Sequence, residues 1–273
     1  MVLGVDVGGT FTDAVLAGRG VLVTAKSATT PDDQSRGVLQ AIADVLRRAG
    51  AAPADVTAFA HGMTVTTNAL LEGRGARTAL VATEGFTDVV ALGRQARRDL
   101  YRLCADHPAP ICPPERRFGA DERLTVDGVL RPLTPAAAAA VADAVAACEP
   151  EAVAVCLLHA WRDPVHELAV GAALRERLGP LGHISLSHEV VGTFREFERA
   201  ATTEIDAALS PLLSAYLERL VAGTRAEGLP PPSVMQSSGG LVEAQTAAGH
   251  AALTVLSGPA GGTAAAALIA AAC

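Results

Sequence analysis

The sequence predicts an α/β protein, a mixed sheet flanked by helices, and three observations carry that expectation. Short β-rich runs open the chain on either side of adjacent glycines. Alanine-rich helical stretches alternate with apolar strands between residues 134 and 178, the pattern of parallel βαβ units. Half of the residues are hydrophobic but only 3% are aromatic. The apolar mass is therefore mostly Ala, Val and Leu, which suits a sheet covered by alanine-rich helices. At 273 residues the chain exceeds one ordinary domain of roughly 100–200 residues, and two closely joined lobes are expected.

Val2 to Val7, Thr12 to Ala17 and Val21 to Lys26 read as a strand meander, turning at Gly8-Gly9 and again at Gly18-Arg19-Gly20. Thr30 before Pro31, with Asp33 in the first turn, reads as a helix start; Val38, Ile42, Val45 and Leu46 then fall on one face before Gly50. Val56 to Ala60 and Thr78 to Thr83 read as buried strands that end in polar loops, at His61-Gly62 and near Gly85. Prolines at 108, 110, 113 and 114 and Gly119 interrupt the stretch Arg94 to Arg131, which reads as a long loop or lid without packed elements.

Thr134-Pro135 starts a helix that ends near Cys148, Ala152 to Leu158 is a continuous apolar strand, and His166 to Leu178 is helical again. Phe194 to Val221 has helical periodicity interrupted at Ser210-Pro211, as one kinked helix or as two, and Pro230 to Pro232 closes it. Ser233 to Gln236 and Leu253 to Leu256 read as strands. Ser257 to Gly262 reads as a turn into an apolar helix that reaches the last residue. A helix apolar on every side is expected to be buried, and the fold is expected to be incomplete at its C-terminal end. No internal repeat is visible.

A net charge of −7 supplies no basic field for nucleic acid or anionic lipid, while backbone amides and a metal ion still allow a small phosphorylated ligand. The five cysteines are odd in number and include no CxxC pair, against a disulfide framework or a closed zinc site. Cys104, Cys112 and His107 in the expected lid show no partner pattern. No secretory leader is read at the N-terminus, and the run Thr263 to Cys273 is too short to span a bilayer, so a cytoplasmic protein is expected.

In Asp6-Val7-Gly8-Gly9-Thr10-Phe11-Thr12-Asp13 two strands meet at glycines that lack a Cβ, which lets backbone N–H groups approach phosphate oxygens. Thr10 and Thr12 offer hydroxyl donors. Asp6 and Asp13 bracket the turn and suit a hydrated magnesium ion, which takes a few carboxylates together with substrate phosphates. A plain glycine hairpin with solvated polar residues stays open on these residues alone.

The octapeptide resembles the first phosphate motif of the actin, sugar-kinase and heat-shock ATPase superfamily, and its wording, DVGGTFTDAV, looks like the hydantoinase/oxoprolinase family. Three more segments carry that resemblance: HGMTVTTNALLEGRGARTALVATEGFTDVVALGRQ from His61 to Gln95, SHEVVGTFREFERAATT from Ser187 to Thr203, and VMQSSGGLV with LSGPAGG nearer the end. The resemblance implies an actin-like, ribonuclease H-like ATPase fold. It implies an N-terminal domain over residues 1–185 and the opening of the hydantoinase A ATPase domain over 186–273. A second phosphate motif and an adenosine lobe, usual in the family, do not occur before Cys273.

The implied activity is ATP-dependent, magnesium-assisted hydrolysis or activation of a small cyclic amide, such as hydantoin, 5-oxoproline or a related lactam, or a related ketone carboxylation. The implied partner is a hydantoinase B type subunit or the remaining domains of the same enzyme. Carried over residue by residue, the resemblance assigns Asp6, Gly8, Gly9, Thr10, Thr12, Asp13, Gly258 and Gly261 to the nucleotide, with Asp6 and Asp13 holding the metal. It assigns Thr64, Thr66, Asn68 and Gln95 to the substrate, and His61 and Arg94 to catalysis. A capped helix start with a satisfied histidine is the competing reading of the first loop, and a solvated loop that of Arg94 and Gln95. Arg195, Glu196, Glu198 and Arg199 match a charged helix start of the family and read as an exposed ion-pair face. Two other functions stay open: a small-molecule kinase of the same superfamily, and a non-catalytic interaction module.

Overall fold

The computed structural model describes residues 1–96, 101–102 and 109–272, so Cys104, His107 and Cys273 lie outside the described residues. The chain divides into two compact units, residues 1–74 with 212–273, and residues 75–211.

In the first unit β1 (Val2–Val7), β2 (Phe11–Gly18) and β3 (Val21–Ala28) form the expected antiparallel meander. Strand β4 (Ala58–Met63) lies parallel to β1 on its other side, β11 (Ser233–Met235) is parallel to β4, and β12 (Leu241–Glu243) pairs antiparallel with β11. The sheet is thus mixed, in the order β12-β11-β4-β1-β2-β3. Its strands alternate as a half-buried sheet must: Leu3, Val5, Val7, Ala14 and Leu16 are buried, whereas Asp6 and Asp13 are exposed.

Helix α1 (Gln34–Ala49) buries Val38, Ala41, Ile42 and Val45, and Gly50 ends it in the left-handed region at φ 62°. Its start is three residues later than Pro31 suggests. Asp33 is the cap, its Oδ1 accepting from the Ser35 amide at 3.2 Å, while the Thr30 hydroxyl is spent on the Asp33 carbonyl. Residues 196–226 form one helix, α7 (Glu196–Ala226), which runs through Pro211 without dividing. Its last turns bury Leu213, Tyr216, Leu217 and Leu220 in this unit. Gly223 permits a close approach to α1, since a Cβ there would lie 2.6 Å from Leu39 Cδ1.

Four expectations for this unit are corrected. His61 and Gly62 belong to β4 rather than to a loop after it, and α2 (Val65–Leu71) follows at once. Residues 251–254 form a 3-10 turn instead of a strand, after the short α8 (Ala244–Gly249). The glycines after Ser257 are the first turns of α9 (Ser257–Ala272), where Pro259 is tolerated because the first helical N–H groups have no intrahelical partner. Helix α9 is exposed over residues 262–271, with Leu268 and Ile269 open to solvent, not buried as its composition suggests.

The second unit holds four parallel strands, β5 (Thr78–Thr83), β6 (Arg117–Ala120), β9 (Ala152–Cys156) and β10 (His183–Leu186), in the order β10-β9-β5-β6. Ala79, Val81, Val153 and Val155 face α4 (Pro135–Ala147) and α5 (Val165–Leu178), whereas Leu80, Ala82, Ala154 and Cys156 pack with Cys112 and with Ala200 and Ala207 of α7. A parallel sheet covered on both faces needs apolar residues at every strand position, which is why β5 and β9 read as continuous apolar runs. The expected lid is not wholly irregular: besides β6 it contains a hairpin of β7 (Arg123–Thr125) and β8 (Gly128–Arg131). Strand β9 stops at Cys156, two residues before the expected end, and short helices α3 (Val89–Leu92) and α6 (Ser187–Val190) follow β5 and β10. Among the described residues no helix is long and apolar enough to cross a membrane.

Candidate functional site

The β1–β2 turn is closed by the Gly8 amide donating to Phe11 O at 3.0 Å. A Cβ on Gly8 would lie 3.1 Å from that same oxygen, and one on Gly9 would lie 3.5 Å from Asn68 Nδ2. The Gly9 and Thr10 amides have no hydrogen-bond partner among the described residues, so they are the N–H groups the turn leaves for an anion.

Asp6 and Asp13 are register partners on β1 and β2, with both carboxylates on the exposed face of the sheet. On the other flank Asp6 is opposite Gly62, where a Cβ would fall 2.7 Å from Asp6 Oδ1. The carboxylate therefore occupies space that any other residue at position 62 would fill. Burial, and after it the charge of Asp13, raises Asp6 above the usual carboxylate range. Asp13 is ion-paired with Lys26 at 2.7 Å, and Lys26 also lies over the Phe11 ring. Two facing carboxylates, one made costly to ionise by burial and then by the other's charge, are a donor set that a divalent cation stabilises. Among the described residues no group of three or more acidic, His or Cys side chains gathers as a metal cage; magnesium does not need one.

Thr12 does not face the ligand side as expected. It is fully buried with Ala14 and Leu16, and its hydroxyl meets Thr29 Oγ1 at 3.2 Å. Thr29 in turn donates to Gly8 O at 2.9 Å and, through its amide, to Thr10 O at 3.0 Å. Thr12 and Thr29 thus brace the turn from behind and leave Thr10 as its exposed hydroxyl. Thr29 and Lys26 were not singled out from the sequence, although both lie on the strand side of the helix start.

The loop from β4 into α2 comes to the same turn. Thr64 donates to Val7 O through both its amide, at 2.9 Å, and its hydroxyl, at 3.0 Å. Asn68, one helical turn on, sets its carboxamide beside Gly9. Thr66, assigned to the substrate from the sequence, is fully buried with its hydroxyl against Thr254 Oγ1 at 3.0 Å. The first turn of α9 closes the other side of this loop: Ser257 donates to Met63 O at 3.2 Å, and a Cβ on Gly258 would lie 3.9 Å from Thr64 Cγ2. Gly261 faces Met235, with 3.6 Å from its would-be Cβ to the methyl carbon.

His61 is on the core side of β4, beside Val5 rather than Asp6, and fully buried. Its Nδ1 donates to Val5 O at 3.3 Å, which leaves Nε2 to accept from the Tyr216 hydroxyl at 2.8 Å. Burial depresses its pKa to about 4, so the imidazole expected in a loop and assigned to catalysis is a neutral histidine on the core side of β4.

Arg94 and Gln95 belong to the second unit. Arg94 is committed to Glu198, Nε to Oε1 at 2.5 Å, and Gln95 takes the left-handed region at φ 55°. Arg199 departs from the expected exposed charged face: it is fully buried and donates to Leu157 O at 2.6 Å and Thr193 O at 2.9 Å. Cys112 is buried, which pushes its thiol up and leaves it unreactive.

This chain matches the hydantoinase/oxoprolinase N-terminal region over residues 2–178 and hydantoinase/oxoprolinase over residues 199–272. Caprolactamase subunit alpha of Pseudomonas jessenii is 33% identical over 267 residues, 94% of this chain and 38% of that protein. The 5-oxoprolinase 1 of Arabidopsis thaliana is 31% identical over 291 residues, 94% of this chain and 22% of its own length. The nucleotide-free structure of acetone carboxylase superposes with a TM-score of 0.86 at 25% identity, over 96% of this chain and 39% of that one. The crystal structure of ATP-dependent caprolactamase from Pseudomonas jessenii gives 0.80 at 33% identity, over 95% and 39%. The chain spans about two fifths or less of the length of these proteins. With one family region matched over residues 2–178 and a second over residues 199–272, the chain belongs to the hydantoinase/oxoprolinase family.

Proposed function

We propose that this chain carries the ATP-phosphate and magnesium turn of an enzyme that activates a small cyclic amide by phosphorylating its carbonyl oxygen. The observation that carries the reading is the Asp6–Asp13 pair facing across a glycine turn, with Gly62 leaving room for the Asp6 carboxylate. Two relatives support the substrate class by name, an ATP-dependent caprolactamase and a 5-oxoprolinase.

The chemistry explains why ATP is spent. A planar, resonance-stabilised amide is a poor electrophile. Attack of its carbonyl oxygen on the terminal phosphorus releases ADP; one water then adds to the activated carbon, the ring C–N bond opens as the nitrogen takes a proton, and a second water hydrolyses the resulting acyl phosphate to carboxylate and free phosphate. Protein catalysis of such a transfer is mainly positioning and charge stabilisation.

In this reading the Gly9 and Thr10 amides, the Thr10 hydroxyl and the Asn68 carboxamide hold phosphate oxygens, while Gly8 shapes the hairpin. The start of α9, with Gly258 and Gly261, adds the positive end of a helix dipole near Thr64. Asp6 and Asp13 would hold magnesium, which would supply positive charge against the phosphate oxygens. His61, Thr12 and Thr66 position the elements and take no chemical step. Arg94 and Gln95 contact substrate only if Glu198 releases the guanidinium, so they stay outside the mechanism. A hydantoinase B type subunit, or further domains of the same protein, completes the enzyme; the subunit name of the caprolactamase relative supports this.

The test is calorimetric titration of the 273-residue chain with Mg-ATP and a non-hydrolysable analogue, repeated on Asp6→Asn. Saturable binding that the variant weakens by about tenfold or more supports the turn as the phosphate site. Binding that Asp6→Asn leaves unchanged refutes it.

A further inference from the structure

The second unit contains a cavity of about 460 Å³ at the carboxyl ends of its parallel strands. Phe86 follows the end of β5, and Leu158 and His159 follow the end of β9. Ligands of open α/β sheets bind outside such strand ends, and the volume is within the usual range for a small-molecule site.

Three features of the wall lack an explanation in the fold. Arg123 is half-buried, its guanidinium 4.5 Å from the Phe86 ring centroid, and it forms no ion pair among the described residues. Glu196, at the start of α7, also lines the cavity half-buried and forms no ion pair among them. His159 adopts the left-handed region at φ 57°, and its buried Nδ1 has no hydrogen-bond partner. Two opposite charges left half-buried and unpaired in one cavity wall are a cost that a ligand carrying both charges offsets.

Opposite charges that share a cavity without meeting define the ligand. A simple anion drawn to Arg123 meets the charge of Glu196, and a simple cation meets the reverse. Phe86, Leu124 and Leu158 supply apolar surface in the same wall. Arg123 also borders a second cavity with Glu84 and Glu122, but the Glu122 oxygens are already taken by Thr83 and His166.

We infer that this cavity binds a small zwitterionic amino acid, its carboxylate on Arg123, its ammonium on Glu196 and its methylenes over Phe86 and Leu124. Water opening a lactam yields such a compound, and in that link alone the inference rests on the function proposed above.

The test is calorimetric titration of the chain, without nucleotide, with glycine, 4-aminobutanoate and 6-aminohexanoate, and with hexanoate and hexylamine as singly charged controls. At least one amino acid binds saturably, and compounds lacking either charge bind weaker by about tenfold or more. Arg123→Gln loses that binding, Arg123→Lys retains part of it, and Glu196→Gln levels amino acid and carboxylate; thermal melts identify any variant that has unfolded. No binding by all three amino acids, or equal binding of hexanoate and 6-aminohexanoate, overturns the inference. Because nucleotide is absent, a failed Mg-ATP titration leaves this result standing.

Discussion

Gly62→Ala separates the proposed metal site from the fold more cleanly than removal of a carboxylate does. The new methyl would fall 2.7 Å from Asp6 Oδ1, and ordinary contact begins at 3.4 Å, so the carboxylate must retreat by about 0.7 Å. Asp6 is on the exposed face and can turn, at roughly 0.5–1.5 kcal/mol for leaving its rotamer. Alanine in a strand interior recovers about 0.5–1 kcal/mol over glycine. Net stability therefore changes by less than about 1 kcal/mol, a melting shift of at most roughly 2–4 °C. The metal-nucleotide complex has no such compensation: displacing the shell around a metal ligand costs about 10–100-fold in affinity. The assay is a thermal melt paired with Mg-ATP titration on wild type and variant. Unchanged affinity with an unchanged melt would refute the assignment of magnesium to Asp6, and a collapsed melt would refute the claim that Asp6 has room to turn.

Two further predictions concern buried groups. Tyr216→Phe removes the hydroxyl that His61 Nε2 accepts from, leaving a buried nitrogen unpaired at a cost of about 1–3 kcal/mol in urea unfolding. Mg-ATP affinity should stay unchanged, and a loss would return His61 to the site. His61 and Glu204 oppose each other in pH dependence. The unfolded histidine takes a proton near 6.5 that the folded one refuses down to about 4, so its contribution to stability falls as pH drops through that window. Glu204, buried and raised to about 7 from 4.5, keeps a proton when folded, so its contribution falls as pH rises through 4.5–7. Glu204→Gln leaves the histidine slope alone, and denaturation midpoints at pH 4.5, 5.5 and 6.5 should climb with pH more steeply than in wild type. A falling profile in that variant would contradict the buried, neutral imidazole.

What could be read from the sequence divides by the distance along the chain over which a residue finds its partner. Asp6 and Asp13 face each other across a tight glycine hairpin, so the pairing follows from counting outward from the turn, and the candidate site was legible there. Thr12 was within reach of the same count: it shares a face with Ala14 and Leu16, and alternation alone places its hydroxyl behind the turn. Gly62 was not, because its reason for being glycine is a carboxylate on a strand that pairs with it only after a crossover. His61 reads as a loop residue because a histidine inside an apolar run is costly without partners, and its partners are 56 and 155 residues away in sequence. The glycines after Ser257 read as a turn because the same residues serve turns and helix starts, and packing of Ser257 on Met63 decides between them. The cavity at the strand ends follows the same rule: Arg123 reads inside a lid, Glu196 reads on a charged helix start, and His159 carries no signal of its own in the sequence. Each was visible as a residue type, and only the parallel sheet brings them to one wall. A sequence therefore exposes the proposed phosphate turn, whose parts are neighbours, sooner than the inferred amino acid site, whose opposite charges must come from separate elements to remain apart.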